Sequence, residues 1–426
     1  MLIPFLAAAA CAVPPTAQPR ADRPRYALDV RVAPSFRKVS GTVDVRFTPN
    51  RPTDRLVFRL WPNAARERRE GTRLDVTDVT SPNGDFRTLR PDPTTLVVRV
   101  GNLAAGATVR VRVGWSLRVP LARLDRISHF RGGVRLGSFF PILAWDPRRG
   151  WVTDPPARIL GESSTTPAAD FDVRVHTPPG TTALVSGVPA GAGRWRAHAV
   201  RDVAVAVARF RIFTATAHAP DAVQVRVGVP RGATADRRTL MGVAVRALEH
   251  LSSRYGPYPW PRYTIVYAPD LTAGGIEYPT LSFIGGRRYL RVVVDHETAH
   301  QWFYSLVGND EARDPWLDET LATWSQQRLD GSIRPPWSGL SAGARRHVGE
   351  PMSYWTRFPH AYFWGVYEEG ANALRSLRDD ESVDCALRAY AARQAYGIAQ
   401  PSDLLDELNR VIPGAEQRLR AWGIHR

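Results

Sequence analysis

The sequence predicts a multidomain chain: an N-terminal all-β saddle or sandwich followed by an α+β domain. Three observations predict this. Apolar and polar residues alternate with period two, segment after segment, from about Tyr26 to Ala217. Near residue 219 the pattern changes to helical spacing mixed with short strands, and helices then dominate to Arg426. The 426 residues are also enough for two or three domains, each with its own core. The expected division is a leading segment 1–24, a β-sheet domain 25–218 and an α+β domain 219–426.

The leading segment reads "MLIPFLAAAACAVPPTAQPRADRPR". A short apolar stretch, then small residues, then a Pro-rich polar stretch is the pattern of an export signal. Ala9-Ala10-Cys11 also resembles a lipoprotein attachment site, with Cys11 as the acceptor. The expected location is therefore extracellular or the cell envelope. The alternative is an unprocessed tail on a cytoplasmic protein.

In the next segment, "YALDVRV", "GTVDVRF", "DRLVFRLW", "TTLVVRV", "ATVRVRVGW", "DFDVRVHT" and "DVAVAVARF" each alternate, and Gly, Pro, Asn and Asp punctuate them. That pattern gives antiparallel strands with one face buried. After residue 219, "RRTLMGVAVRALEHLSS" spaces its apolar residues as a helix from Arg237 to Ser253. "YTIVYAP" is a short strand, and "GGIEYPTLSFI" reads as one glycine-led strand over 274–284. "YLRVVVDHETAHQWFYSLVG" reads as a helix stopped at Gly308-Asn309. Asp314-Pro315 reads as the capped start of the next helix.

The formal charge is +16, carried almost wholly by arginine, with Lys38 the only lysine. These charges are dispersed and form no dense run or tail, so a dedicated nucleic-acid surface is not expected. Two cysteines, Cys11 and Cys385, exclude a disulfide framework and a CxxC metal knuckle. If Cys11 carries lipid, Cys385 is a lone thiol on a helix. No apolar run is long enough to span a bilayer, which leaves a lipid on Cys11 as the expected membrane link.

The chemistry concentrates in "DHETAHQWF". Residues four apart on a helix share a face, so His296 and His300 can present two imidazole nitrogens to one ion. Glu297 follows the first histidine and points beside that ion. A zinc site for hydrolysis needs a third protein ligand and an open position. HExxH alone also occurs by chance on ordinary helices. Glu319, in "PWLDE", lies beyond eighteen intervening residues after His300, and a turn plus a second helix can bring its carboxylate back. Phe303 and Leu306 stand where the longer HExxHxxGxxH motif needs glycine and histidine, so that class is excluded. The other histidines, His250 and His347 among them, lack ligand spacing.

With these residues the chain resembles the aminopeptidase N family of zinc metallopeptidases, gluzincins with a thermolysin-like catalytic domain. Gln301-Trp302 and "GGIEYP" fit the same pattern, and the resemblance runs over roughly residues 25–426 without the family's long C-terminal helical domain. It implies one Zn²⁺ held by His296, His300 and Glu319, with Glu297 as general base. It implies that Tyr367, in "FWGVYEEGANAL", steadies the oxyanion, although by sequence alone an aromatic on a helix is usually core. It implies that Glu277 binds the free amino group of a peptide, and that Gly274 and Gly275 let the peptide backbone approach.

The chain departs from the family pattern at Ile276, Tyr278, Asp318, Thr320 and Glu369. No Glu or Gln precedes Phe139-Phe140-Pro141, where the family carries a second amine-binding group. The leading expectation is a zinc aminopeptidase acting on peptides with a free N-terminus. A zinc endopeptidase or other hydrolase with an open cleft is the alternative. A non-catalytic binding protein on the same scaffold is more remote, because the ligands, Glu297 and Tyr367 are all present.

Overall fold

Alternation becomes burial in the first half. Along Arg25–Val32 the side chains of Tyr26, Leu28, Val30 and Val32 turn inward and those between turn outward. The computed structural model describes residues 11–82, 86–122, 126–158, 165–271, 274–286 and 289–426. The expected signal over the first ten residues lies outside the described residues.

Seven strands form the main sheet, in the order Val188–Pro189, Arg194–Val200, Ala169–His176, Arg25–Val32, Lys38–Phe47, Val109–Arg118 and Arg73–Thr80. Only Arg25–Val32 and Ala169–His176 run parallel among these neighbours. Among the described residues, two four-stranded sheets, one around Thr53–Arg59 and one around Val205–Ala208, and a two-stranded pair, Trp145–Asp146 with Gly150–Trp151, complete the β half. Each expected strand is present. Strands 73–80, 87–92, 182–185 and 194–200 were not foreseen, because their outer faces are too polar or too short to alternate cleanly.

Elements of the second half are labelled in chain order. A five-stranded sheet has the order β1 (Phe210–His218), β2 (Ala222–Pro230), β3 (Arg262–Tyr267), β5 (Leu281–Ile284), β4 (Gly275–Tyr278). β1 pairs with β2 along its whole length. This sheet therefore begins at Phe210, ahead of residue 219, where the character of the sequence changes. The stretch 274–284 is a hairpin and not one strand, because Thr280 turns the chain at φ 64°. β4 lies at the sheet edge, with its outer side unpaired among the described residues.

Helix α1 (Arg237–Tyr255) packs Leu240, Val243, Ala244, Ala247, Leu248 and Leu251 inward, and Asp236 caps it by accepting from the Thr239 N–H at 3.1 Å. Helix α2 (Leu290–Ala299) ends earlier than its sequence pattern suggests. From His300 the chain coils through tight turns, with Tyr304 at φ 122°, and Gly308–Asn309 is a short strand. Trp302 and Phe303 are fully buried, so their apolar character reflects core packing and not helix continuation.

Helix α3 (Trp316–Asp330) is buried on every side from Trp316 to Gln327. Asp314 does not cap it. Among the described residues no side chain caps α3, and Asp314 faces Arg149 of the β half at 3.9 Å. A π-helical turn (Phe363–Glu368) leads into α4 (Glu369–Arg375), followed by α5 (Asp380–Gln394) and α6 (Pro401–Val411). The apolar core runs unbroken from the β half into these helices.

Cys11 and Cys385 form a disulfide with Cα atoms 5.6 Å apart. This corrects the sequence expectation for both. The Cys11 sulfur is bonded to α5 and is not available for a lipid thioether, and Cys385 is not a lone thiol. The Ala17 N–H also donates to the Ala392 carbonyl at 2.8 Å, so the leading segment lies along α5. Among the described residues, no helix is long and apolar enough to cross a membrane.

Candidate metal centre

The centre forms where α2 meets α3 behind the edge strand β4. One helical turn puts His296 and His300 on the same face of α2, and the tight coil after Ala299 lets α3 return with Glu319 facing them. The His296 Nε2 and His300 Nε2 atoms are 3.1 Å apart, and each is 3.3 Å from Glu319 Oε2.

Three donor atoms converging this closely fit one ion. Metal bonds of about 2.0–2.2 Å at tetrahedral angles set ligand atoms about 3.3–3.5 Å apart. His300 Nδ1 lies 3.0 Å from the Phe303 carbonyl. That contact assigns the proton to Nδ1 and leaves the Nε2 lone pair for the centre. The buried carboxylates Glu277 and Glu319 push the His300 pKa up against the effect of burial, so they favour a cation at this point, and a metal ion can take the proton's place. Burial would raise the Glu319 pKa, but hydrogen bonds from the two histidines pull it below the usual carboxylate range. Among the described residues, the only other cluster with ligand spacing is Glu277, Glu297 and His300, which shares this centre.

Glu297 is buried, and its Oε2 has no hydrogen-bond partner among the described residues. Burial, then the neighbouring Glu277, raises its pKa well above the ordinary value. Gly275 makes the room for it: a Cβ there would overlap the Glu297 side chain. Gly274 adopts φ 67°, a conformation that suits glycine. Tyr367 donates its hydroxyl to Glu319, and its ring stacks on His296 with centroids 5.7 Å apart and planes 8° apart. Burial, then Glu319, raises its pKa, so it stays an O–H donor at neutral pH.

Glu277 is buried on β4, and its donor oxygen lies within 4.8 Å of those of Glu297 and His300. All eight residues singled out from the sequence thus fall at this one place.

Arg126 went unmarked in the sequence, and Tyr278 and Gln301 were noted there without a role in holding the site. Arg126 of the β half lies 3.9 Å from Glu277 and hydrogen-bonds the Tyr278 hydroxyl at 3.3 Å. One more arginine in an arginine-rich chain carries no signal. Tyr278 fills the space beside Gly137, where a Cβ would overlap its ring, and meets Ser138 Oγ at 3.2 Å. Gln301 fixes the hairpin turn: its Oε1 accepts from the Thr280 N–H at 2.8 Å, and its Nε2 donates to the Tyr278 carbonyl at 3.0 Å.

Residues 240–421 match the peptidase family M1 domain. Aminopeptidase M1-B of Oryza sativa subsp. japonica is 27% identical over 216 residues, covering 43% of this chain and 25% of the relative. Aminopeptidase N of Lactobacillus delbrueckii subsp. lactis is 27% identical over 232 residues, covering 46% and 27%. The matches thus cover about a quarter of the length of these curated relatives. The M1 zinc metallopeptidase from Deinococcus radiodurans has the same fold, with a TM-score of 0.71 at 22% identity over 95% of both chains.

Proposed function

From the match of residues 240–421 to the peptidase family M1 domain and the geometry of the centre, we propose that the protein is a zinc-dependent aminopeptidase that removes N-terminal residues from peptides. The observation that carries this reading is the convergence of His296, His300 and Glu319 beside the unpartnered Glu297 oxygen. His296, His300 and Glu319 would hold the Zn²⁺. When bound, zinc polarises the scissile carbonyl and lowers the pKa of water toward about 7.

The protein's own groups then have separate tasks. Glu297 takes the proton of the attacking water at Oε2 and delivers it to the leaving amine nitrogen. The Tyr367 hydroxyl, kept protonated by its surroundings, donates to the oxygen on which charge develops. Glu277 accepts the substrate ammonium, and its fixed place on β4 measures one residue to the scissile bond. The unpaired edge of β4, opened by Gly274 and Gly275, receives the peptide backbone as an added strand. A disulfide suits an oxidising compartment, which supports export.

The test compares one short peptide, with its N-terminus free and then acetylated, using the zinc-loaded protein and Glu297→Ala as control. Cleavage of the free form alone, lost in Glu297→Ala, is the expected result. Equal cleavage of both forms would replace this reading with that of an open-cleft endopeptidase.

A further inference from the structure

A π-helical turn is rare, and such turns persist where their surroundings hold them. The turn Phe363–Glu368 carries Tyr367, and α3 packs across it. Two consecutive residues of α3 grip two consecutive residues of the turn. Glu319 accepts the Tyr367 hydroxyl, while the Thr320 hydroxyl donates to the Val366 carbonyl at 2.7 Å.

Thr320 is fully buried. A threonine or serine inside a helix commonly returns its hydroxyl to the carbonyl four residues earlier. Thr298 and Ser325 do so here, to Val294 at 2.7 Å and Leu321 at 2.6 Å. Thr320 instead crosses to another element. Gly370, four residues after Val366 in α4, leaves room for it: a Cβ there would overlap Thr320 Oγ1. The contact therefore fixes both the depth of the turn against α3 and its register, one residue before Tyr367.

We propose that Thr320 is a positioning residue for Tyr367: by holding the Val366 carbonyl it keeps the π turn in the register that aims the Tyr367 hydroxyl at the metal centre. This rests on the reading of Tyr367 as oxyanion donor, so the experiment separates the two. Thr320→Val removes the hydroxyl and keeps the shape, whereas Thr320→Ser keeps the hydroxyl. kcat and KM on a free-amino dipeptide p-nitroanilide are measured with bound zinc, thermal unfolding and the Ki of a phosphinic dipeptide.

For Thr320→Val, kcat is expected to fall about tenfold with KM within about twofold, zinc stoichiometric and Ki raised in step with the loss of kcat. Thr320→Ser should recover kcat to within about threefold of wild type. In a Tyr367→Phe background Thr320→Val should change kcat by less than about twofold, because its effect passes through the missing hydroxyl. If Thr320→Val does not fold, Thr320→Ala carries the same expectations.

Wild-type kcat in the hydroxyl-free variants, an equal loss in the Tyr367→Phe background, or loss of zinc would overturn the proposal. If Tyr367→Phe alone leaves kcat intact, the oxyanion reading fails first and takes this proposal with it.

Discussion

At Gly275 a missing side chain is what gives Glu297 its place. Any Cβ at 275 would occupy the volume of the Glu297 carboxylate. Gly275→Ala should therefore lower kcat by about a hundredfold while zinc content stays at one per chain. Metal analysis beside steady-state kinetics checks this, and unchanged kcat would show that Glu297 can work from another position.

A second residue couples the fold to pH. Asp202 is buried, and burial pushes its carboxyl up to about 7 although the Val203 N–H and Ser138 hydroxyl bond it. The unfolded carboxyl titrates near about 3.9. Between those values the folded state holds a proton that the unfolded state has lost, so this group's contribution to stability falls as pH rises from about 4 to about 7. Asp202→Asn keeps the hydrogen-bond shape without the charge. Relative to wild type it should gain stability at pH 8 over pH 5, by a few kcal/mol at about 1.4 kcal/mol per unit. Urea melts at the two pH values decide it, and a pH-independent difference would remove Asp202 from this role.

Among the elements, α2 and α3 face each other across a site whose donors are two imidazoles and a carboxylate. A ligand that binds only the folded state stabilises it by mass action. Chelation should therefore lower the melting temperature, and zinc should restore it. Glu319→Gln should melt near the chelated wild type and respond little to added zinc. An unchanged melting curve on chelation would show that the helices hold together without the metal.

How far the elements were legible follows from how local their signals are. The two histidines and Glu319 declared themselves by spacing along two helices. Tyr367 and Glu277 needed a family resemblance, because nothing in their own neighbourhoods marks a hydroxyl or carboxylate as aimed at a metal. The end of α2 was misread because Trp302 and Phe303 are apolar for the core. Asp314 was misread because its carboxylate serves a contact with Arg149, about 165 residues away in sequence. Arg126 and Thr320 act through tertiary contacts alone, which no local spacing encodes.

At the scale of the molecule, the two halves are joined by buried polar stitching as well as by a shared core. Arg201 of the β half donates to the carbonyls of Ser305 at 3.4 Å, Leu306 at 3.3 Å and Gly397 at 2.7 Å in the second half, and to Thr166 at 3.0 Å in its own. Gly308 leaves the space its guanidinium needs. Removing one side of such a cluster strands several buried acceptors. Arg201→Ala should cost about 3–5 kcal/mol in urea unfolding, and Arg201→Lys should recover little, because an ammonium cannot reproduce the planar fork. A loss below about 1 kcal/mol would mean that the apolar core alone joins the halves.

The bond between Cys11 and Cys385 bridges 374 positions, so nearly the whole chain is enclosed in one covalent ring. That ring keeps a record of where the molecule matured. Chain isolated from its native cells under acid quench, then treated with a maleimide, would resist labelling if it folded after leaving a reducing interior. It would take up two labels if it never left. Two sulfur atoms thus act as a postmark, readable by mass alone.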